Sequence, residues 1–129
     1  MAKTGRPKKH EADFPKRGEV FLTALDPTLG REIQKTRPAL VIQNDISNRL
    51  APLTIVAPIT STVRLPLNPV HVLLTADETT GLSVVSVALL NQIRAVDKLR
   101  LVKRLGAVDQ ETLKRVDDAI RISLGLVAL

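Results

Sequence analysis

Two apolar runs rich in β-branched residues lie near the centre of the chain, Pro38-Ala39-Leu40-Val41-Ile42 and Leu53-Thr54-Ile55-Val56-Ala57-Pro58-Ile59, each bracketed by polar and turn-forming residues. Runs of this kind predict neighbouring buried strands. A short connection favours antiparallel pairing, so the start of one strand lies near the end of the other. Arg37 enters the first strand and Thr60-Ser61-Thr62 leaves the second. Arg37 and Thr60 are therefore expected at a common end, and a permanent cation beside hydroxyls at a sheet rim suits a phosphate. Pro58 cannot donate to a ladder, which predicts an edge or a bulge just before Thr60.

The same pattern extends along the chain. Residues 1–16 show no apolar periodicity and read as a flexible basic arm, leaving residues 17–129 as one domain. Arg17 to Leu25 predicts a first strand that Asp26-Pro27 stops, and Leu29 to Lys35 a polar loop anchored by Ile33 that brings Arg31, Lys35 and Arg37 close together. Asn44 to Arg49 suits a turn or short helix. Further strands are expected over Val70–Leu74, Val84–Leu90 and about Val102–Val108. Gln92 and Arg94 follow the fifth strand and share a face by its period of two. Asp97 is placed to cap a helical turn through Arg100. Asp109 is a good N-cap, and Leu113, Val116, Ala119, Ile120, Ser123 and Leu124 then form one apolar stripe of a helix, with Asp117, Asp118 and Arg121 outside it and solvated. Gly125 ends that helix and leaves Leu126 to Leu129 as an apolar tail suited to packing on a partner subunit. Six short strands and a C-terminal helix predict a mainly β, compact and strongly curved antiparallel barrel.

Composition narrows the function. A chain of 129 residues suffices for one domain with its own core. It has no cysteine, which removes a disulfide framework and a thiolate-zinc site, and a reducing cytoplasm fits. No stretch approaches the roughly 18 uninterrupted apolar residues of a membrane span, so a soluble cytoplasmic protein is expected. Of the net charge of +6, four units come from residues 1–17, where Lys3, Arg6, Lys8, Lys9, Lys16 and Arg17 outweigh Glu11 and Asp13. High pI is thus largely a property of the arm. Gly5-Arg6-Pro7-Lys8-Lys9 superficially resembles a minor-groove hook, with a solvated tail as the simpler reading. Phe14 and Phe21 are the sole aromatics, so recognition of single strands must rest on arginine planes, backbone groups and hydrogen bonds rather than on ring stacking.

There is no Gly-rich phosphate loop and no His-Glu zinc pattern; His10 lies in the arm and His71 in a strand. Neither cofactor nor metal is expected. RNA, however, brings its own nucleophile in the 2′-hydroxyl. A ribonuclease of that kind needs help for two proton transfers and donors for the charge that builds on phosphorus. Arg37 suits the last role, and with a pKa above about 12 it is no base. Thr60 suits orientation of the 2′-hydroxyl or of a phosphate oxygen.

The strings Arg17-Gly18-Glu19-Val20-Phe21, Leu25-Asp26-Pro27-Thr28-Leu29-Gly30-Arg31-Glu32 and Lys35-Thr36-Arg37-Pro38-Ala39-Leu40-Val41-Ile42-Gln43-Asn44-Asp45 resemble the MazF/PemK family of toxin endoribonucleases. The likeness continues through Val56-Ala57-Pro58-Ile59-Thr60-Ser61, Gln92-Ile93-Arg94-Ala95-Val96-Asp97-Lys98, Arg100-Leu101 and Gly106, and covers nearly everything after residue 16. The resemblance implies a Src-homology-3-like barrel of the CcdB/MazF type. It also implies a homodimeric toxin of a type II toxin-antitoxin system that cleaves single-stranded RNA or mRNA without metal. Such cleavage leaves 2′,3′-cyclic phosphate and 5′-hydroxyl ends, stops translation and growth, and is blocked by an acidic MazE-like antitoxin. By matching position it gives Arg37 and Thr60 the catalytic roles and puts Arg31, Gln92 and Arg94 at the RNA; Lys35, in the same loop as Arg31, and Ser61, beside Thr60, are expected there with them.

The chain also departs from the family. Some members carry an Arg and an Asp where Leu89 and Asn91 stand, and are thought to use them as acid and base; that version does not apply here. Many carry Trp at the place of Phe21. A gyrase-poisoning CcdB-like toxin that acts by protein binding, and a catalytically inactive interaction module, are the alternative readings.

Overall fold

The computed structural model describes residues 14–25 and 36–128. In chain order its elements are β1 (Glu19–Ala24), β2 (Thr36–Val41), α1 (Asp45–Leu50), β3 (Leu53–Thr60), β4 (His71–Leu74), β5 (Ser86–Leu89), β6 (Arg94–Asp97), a 3₁₀ turn (Lys98–Arg100), β7 (Leu101–Ala107) and α2 (Gln110–Ser123). Every pairing is antiparallel along the path β4-β5-β3-β2-β1-β7, and β6 joins on β3. The result is the mainly β, curved antiparallel sheet with a C-terminal helix that the pattern predicts.

The sheet turns on β3. One edge of this strand carries β2; the other carries β6 over Leu53–Val56 and then β5 over Ile59–Thr60. Pro58 falls where that partner changes. It is neither at an edge nor in a bulge, as its chemistry suggested, but in the central strand opposite Ala39. At a change of partner one ladder donor is not needed, which is the one a proline lacks.

Both faces of the sheet are covered. One apolar cluster unites Val20, Leu40, Ala57 and Ile59 with Leu74 of β4, Leu90 and the helix residues Val116 and Ala119. The second, on the opposite face, gathers Leu25, Ala39, Val41, Val56 and Val96, with Phe21 and Leu101 packed against it. Alternate residues of β2 and β3 therefore serve different cores, which explains why these strands read as continuous apolar runs. The helical stripe is as expected as far as Ile120: Val116 and Ala119 are buried, and Leu113 and Ile120 pack beside them, whereas Leu124, expected to continue it, is the C-cap and is exposed.

Polar contacts fix the ends of the elements. Asp109 caps α2 by accepting the Thr112 N–H at 2.8 Å, and Gly125, at φ 74°, closes it while the Leu126 N–H donates to the Arg121 carbonyl at 2.8 Å. Leu126 beyond it is 69% exposed. Arg17 joins three elements: its backbone N–H donates to Asp45 Oδ1 at 2.7 Å, its Nε to the Ile42 carbonyl at 2.8 Å, and its Nη2 pairs with Asp117. Asp117 is thus an anchor for the chain's entry into β1, not merely a solvated carboxylate. Asp118 pairs with Arg121 on the outer face of the helix.

Three details of the pattern change. A seventh strand, β6, follows the fifth; with only Val96 fully buried among its four residues, it carries too little apolar alternation to announce itself. The fifth strand spans Ser86–Leu89, and Val84 and Val85 before it are about half exposed. Gln92 consequently lies in the turn between β5 and β6, so the period-two argument that put it on one face with Arg94 does not apply.

Asn48 of α1 has no exposed surface and is fully bonded. Its Nδ2 donates to the Gln43 carbonyl at 2.8 Å, and its Oδ1 accepts from Gln43 Nε2 at 3.0 Å and from Thr54 Oγ1 at 2.6 Å. Asn48→Ala strands buried partners at the junction of α1 and β3. It should lower unfolding free energy in urea by about 1–3 kcal/mol, more than Thr54→Val does.

Candidate active site

The β2–β3 ladder sets the site. Its pairs are Val41 with Val56, Leu40 with Ala57 and Ala39 with Pro58. Continued by two residues, the same register puts Arg37 opposite Thr60, where directly facing Cβ atoms stand about 4.5–5.5 Å apart. Local chemistry supports the placement: a residue before proline is steered to extended backbone, and Arg37 precedes Pro38 at the entry of β2. Arg37 is exposed, and among the described residues no carboxylate lies within ion-pairing distance of it. Thr60 Oγ1 accepts the Thr62 N–H at 3.2 Å, which turns the chain at the strand end and leaves the hydroxyl proton to be donated elsewhere.

Both residues line one cleft of about 640 Å³. Leu22, Pro38 and Ile59 floor it, Ser61 and Thr62 extend the Thr60 rim, and Ser83, Val84 and Ser86 face them. Arg37 is the one charged side chain among the described lining residues. Among its described residues the site offers a cation, several hydroxyls and no carboxylate, a combination suited to a phosphodiester and not to a cationic ligand.

The facing wall is held by close backbone contact. A Cβ on Gly106 of β7 would lie 2.2 Å from the Thr79 carbonyl oxygen, and one on Gly81 would lie 2.0 Å from the Leu105 carbonyl oxygen. The Ala107 N–H donates to that Thr79 carbonyl at 2.8 Å. Asp77 organises the turn before the wall: it accepts the Thr80 N–H at 2.9 Å and the Thr75 hydroxyl at 2.8 Å. Bonds from the Thr80 backbone and then the Thr75 hydroxyl hold its carboxyl below the ordinary value of 3.8. Ser86 Oγ donates to the Val84 carbonyl at 2.9 Å and fixes the bend into β5.

The other expected site residues divide. Ser61 joins Arg37 and Thr60 in the cleft. Arg31 and Lys35 lie outside the described residues. Arg94 does not line the cleft: it pairs with Val56, four residues before Thr60 and so about 13 Å away along β3. Its Nη1 donates to the Leu25 carbonyl at 3.2 Å, and Arg100 Nη1 donates to the neighbouring Ala24 carbonyl at 3.3 Å. These two arginines tie the end of β1 to β6 and the 3₁₀ turn. Gln92 is exposed in its turn, with its N–H on the Leu89 carbonyl at 3.1 Å, and is likewise outside the cleft lining. Sequence reasoning missed the wall of Ser83, Val84 and Ser86, because serines interrupting an apolar run give no signal of a site.

A family model described as "PemK-like, MazF-like toxin of type II toxin-antitoxin system" matches residues 16–124. Endoribonuclease EndoA of Bacillus subtilis (strain 168) is 45% identical over 112 residues, which span 87% of this chain and 96% of that protein. The MazE-MazF crystal structure (Form-II) from Deinococcus radiodurans superposes with a TM-score of 0.72 at 27% identity, covering 88% of this chain and 98% of that one. An endoribonuclease from a mycobacterial species, at 24% identity, shares the fold with a TM-score of 0.71 over 91% of this chain and 97% of its own.

Two outcomes follow for the wall. Gly106→Ala should lower stability by about 1–3 kcal/mol or more, seen in urea unfolding, since backbone rather than a flexible side chain blocks the methyl. Asp77→Asn should reduce stability near neutral pH. Because the folded carboxyl titrates below its ordinary value, the stabilisation it gives is complete above 3.8 and is lost as pH falls through the lowered folded value. The unfolding free energies of Asp77→Asn and the unaltered protein should therefore converge in acid.

Proposed function

We propose that this chain, which belongs to the PemK-like, MazF-like toxin family of type II toxin-antitoxin systems, cleaves single-stranded RNA with Arg37 and Thr60 acting on one phosphodiester. The single observation that supports this reading is their convergence, cation beside hydroxyl, on one cleft free of carboxylates among its described lining residues. The 2′-hydroxyl oxygen attacks phosphorus, the bond to the 5′-oxygen breaks, and the products are a 2′,3′-cyclic phosphate and a 5′-hydroxyl. The proton of the 2′-hydroxyl passes to solvent water and the 5′-oxygen takes one from it, so the step consumes no net proton. Arg37 donates N–H bonds to the phosphate oxygens, whose charge rises on the way to the transition state. Thr60 donates its free hydroxyl proton to hold the nucleophile or a phosphate oxygen in line. Leu89 and Asn91 supply neither acid nor base, so the burden falls on Arg37, Thr60 and the geometry of the cleft.

Partners follow from the same surface. A cleft whose one described charged side chain is the cation Arg37 suits an acidic, MazE-like antitoxin segment that competes with RNA and folds as it binds. The exposed Leu124, Leu126 and Val127 suit burial in a homodimer. Among the described residues no helix is long and apolar enough to cross a membrane, and the reading places the protein with its mRNA substrate in the cytoplasm. Residues 1–16 are proposed as an arm outside the catalytic domain of residues 17–129.

The test is incubation of the purified protein with a long unstructured RNA in EDTA, with the ends mapped, beside Arg37→Ala. Discrete cuts with 5′-hydroxyl ends are expected, slowed on the order of 10²–10³-fold or more in the variant while its unfolding curve is unchanged. Intact RNA from a protein that still arrests growth would overturn the reading in favour of a protein target such as gyrase.

A further inference from the structure

The cleft extends beyond Arg37 and Thr60. At about 640 Å³ it falls in the range that encloses a drug-sized ligand, yet its described lining includes a single cation at one end. An RNA strand lying there presents a second phosphate, and the residue to meet it is set by an irregularity of β7.

Pairing between β1 and β7 starts in one register, Glu19 with Ala107 and Val20 with Gly106. It shifts by one residue before Phe21 pairs with Arg104 and Leu22 with Lys103, and shifts again before Thr23 pairs with Leu101. A bulge of this kind exchanges the faces of the residues beyond it. Without the first shift, simple alternation from Gly106 would turn Arg104 toward the cleft and Lys103 away. With it, Arg104 shares a face with Glu19 and Phe21, and its Nε meets Glu19 Oε2 at 2.6 Å, an ion pair that independently reports the exchange. Lys103 is thereby turned to the face of Leu22. Leu22 pairs in turn with Pro38, and continuing the β2–β3 register puts Pro38 beside Ile59. Leu22, Pro38 and Ile59 are the cleft floor. Lys103 is not itself a lining residue but stands beyond Leu22 at the β7 end of this row, two strand spacings or about 9.5 Å from Pro38. It is exposed, and among the described residues no carboxylate pairs with it.

We propose that Lys103 is a second phosphate-binding residue of the RNA cleft, holding a phosphate that flanks the one at Arg37 and Thr60. This rests on the ribonuclease reading. Lys103 binds and does not take part in bond breaking, so its loss falls on KM rather than kcat. As a point charge on a flexible stem it neutralises one phosphate without reading a base, and it contributes to affinity through counterion release.

The experiment measures binding of an RNA that spans the mapped cut site, with a 2′-deoxy residue at the scissile nucleotide to prevent cleavage, from 50 to 200 mM salt. Lys103→Gln should flatten the slope of log affinity against log salt by about 0.7 and raise KM several-fold, and Lys103→Arg should restore both. Lys114→Gln, on exposed α2 away from the cleft, should match the unaltered protein. A Lys103→Gln slope and KM equal to those of the unaltered protein, while that protein cleaves normally, would overturn the assignment alone. An unaltered protein that neither binds nor cuts the RNA would overturn the ribonuclease reading along with it.

Discussion

The antiparallel ladder between β2 and β3 is the constraint on which the rest depends. Three pairs, Val41 with Val56, Leu40 with Ala57 and Ala39 with Pro58, fix a register in which Arg37 and Thr60 meet at the strand ends. A slip of one residue would send each apolar side chain of β2 to the wrong core and part Arg37 from Thr60 at once. Because Ala39 and Val41 serve one cluster and Leu40 and Ile42 the other, that slip is opposed from both faces. Core packing and site geometry thus share one register.

The opposite side of the cleft is specified differently. Its wall is the segment that leads into β5, ending in that strand's first residue, Ser86, and pressed onto β7 at Gly81 and Gly106, where any side chain would collide with backbone. The Asp77 turn sets the direction in which that segment arrives. A ladder gives one rim its precision and close backbone packing gives it to the other, so the site is held on both sides by interactions that leave little slack. Arg94 and Arg100, which reach the carbonyls at the end of β1, keep the approach to the cleft in place instead of lining it.

Much of this was legible in the residues. Strand periodicity located β1 to β5 and β7 to within a few residues, the Asp97 and Asp109 caps and the Gly125 stop were read correctly, and the nearness of Arg37 and Thr60 in one cleft followed from two apolar runs and a short connection. What was not legible depends on partners distant in sequence. Nothing in Val84-Val85-Ser86 says that the first two residues stay outside the strand. Pro58 pointed to an edge or a bulge because its neighbours on both edges of β3 lie elsewhere in the chain. Asp117 looked solvated because Arg17, its partner, is a hundred residues away. The orientation of Lys103 reverses with a one-residue bulge that no periodicity reveals.

The central claim is that Arg37 and Thr60 act on the same phosphate, and a double-mutant cycle tests it most directly. Single-turnover cleavage is measured for the unaltered protein, Arg37→Ala, Thr60→Ala and the double variant. Residues that act as one unit give a double variant little worse than the more damaging single change, and that is the result the account predicts. Losses that multiply independently would place the two side chains at separate tasks and contradict it.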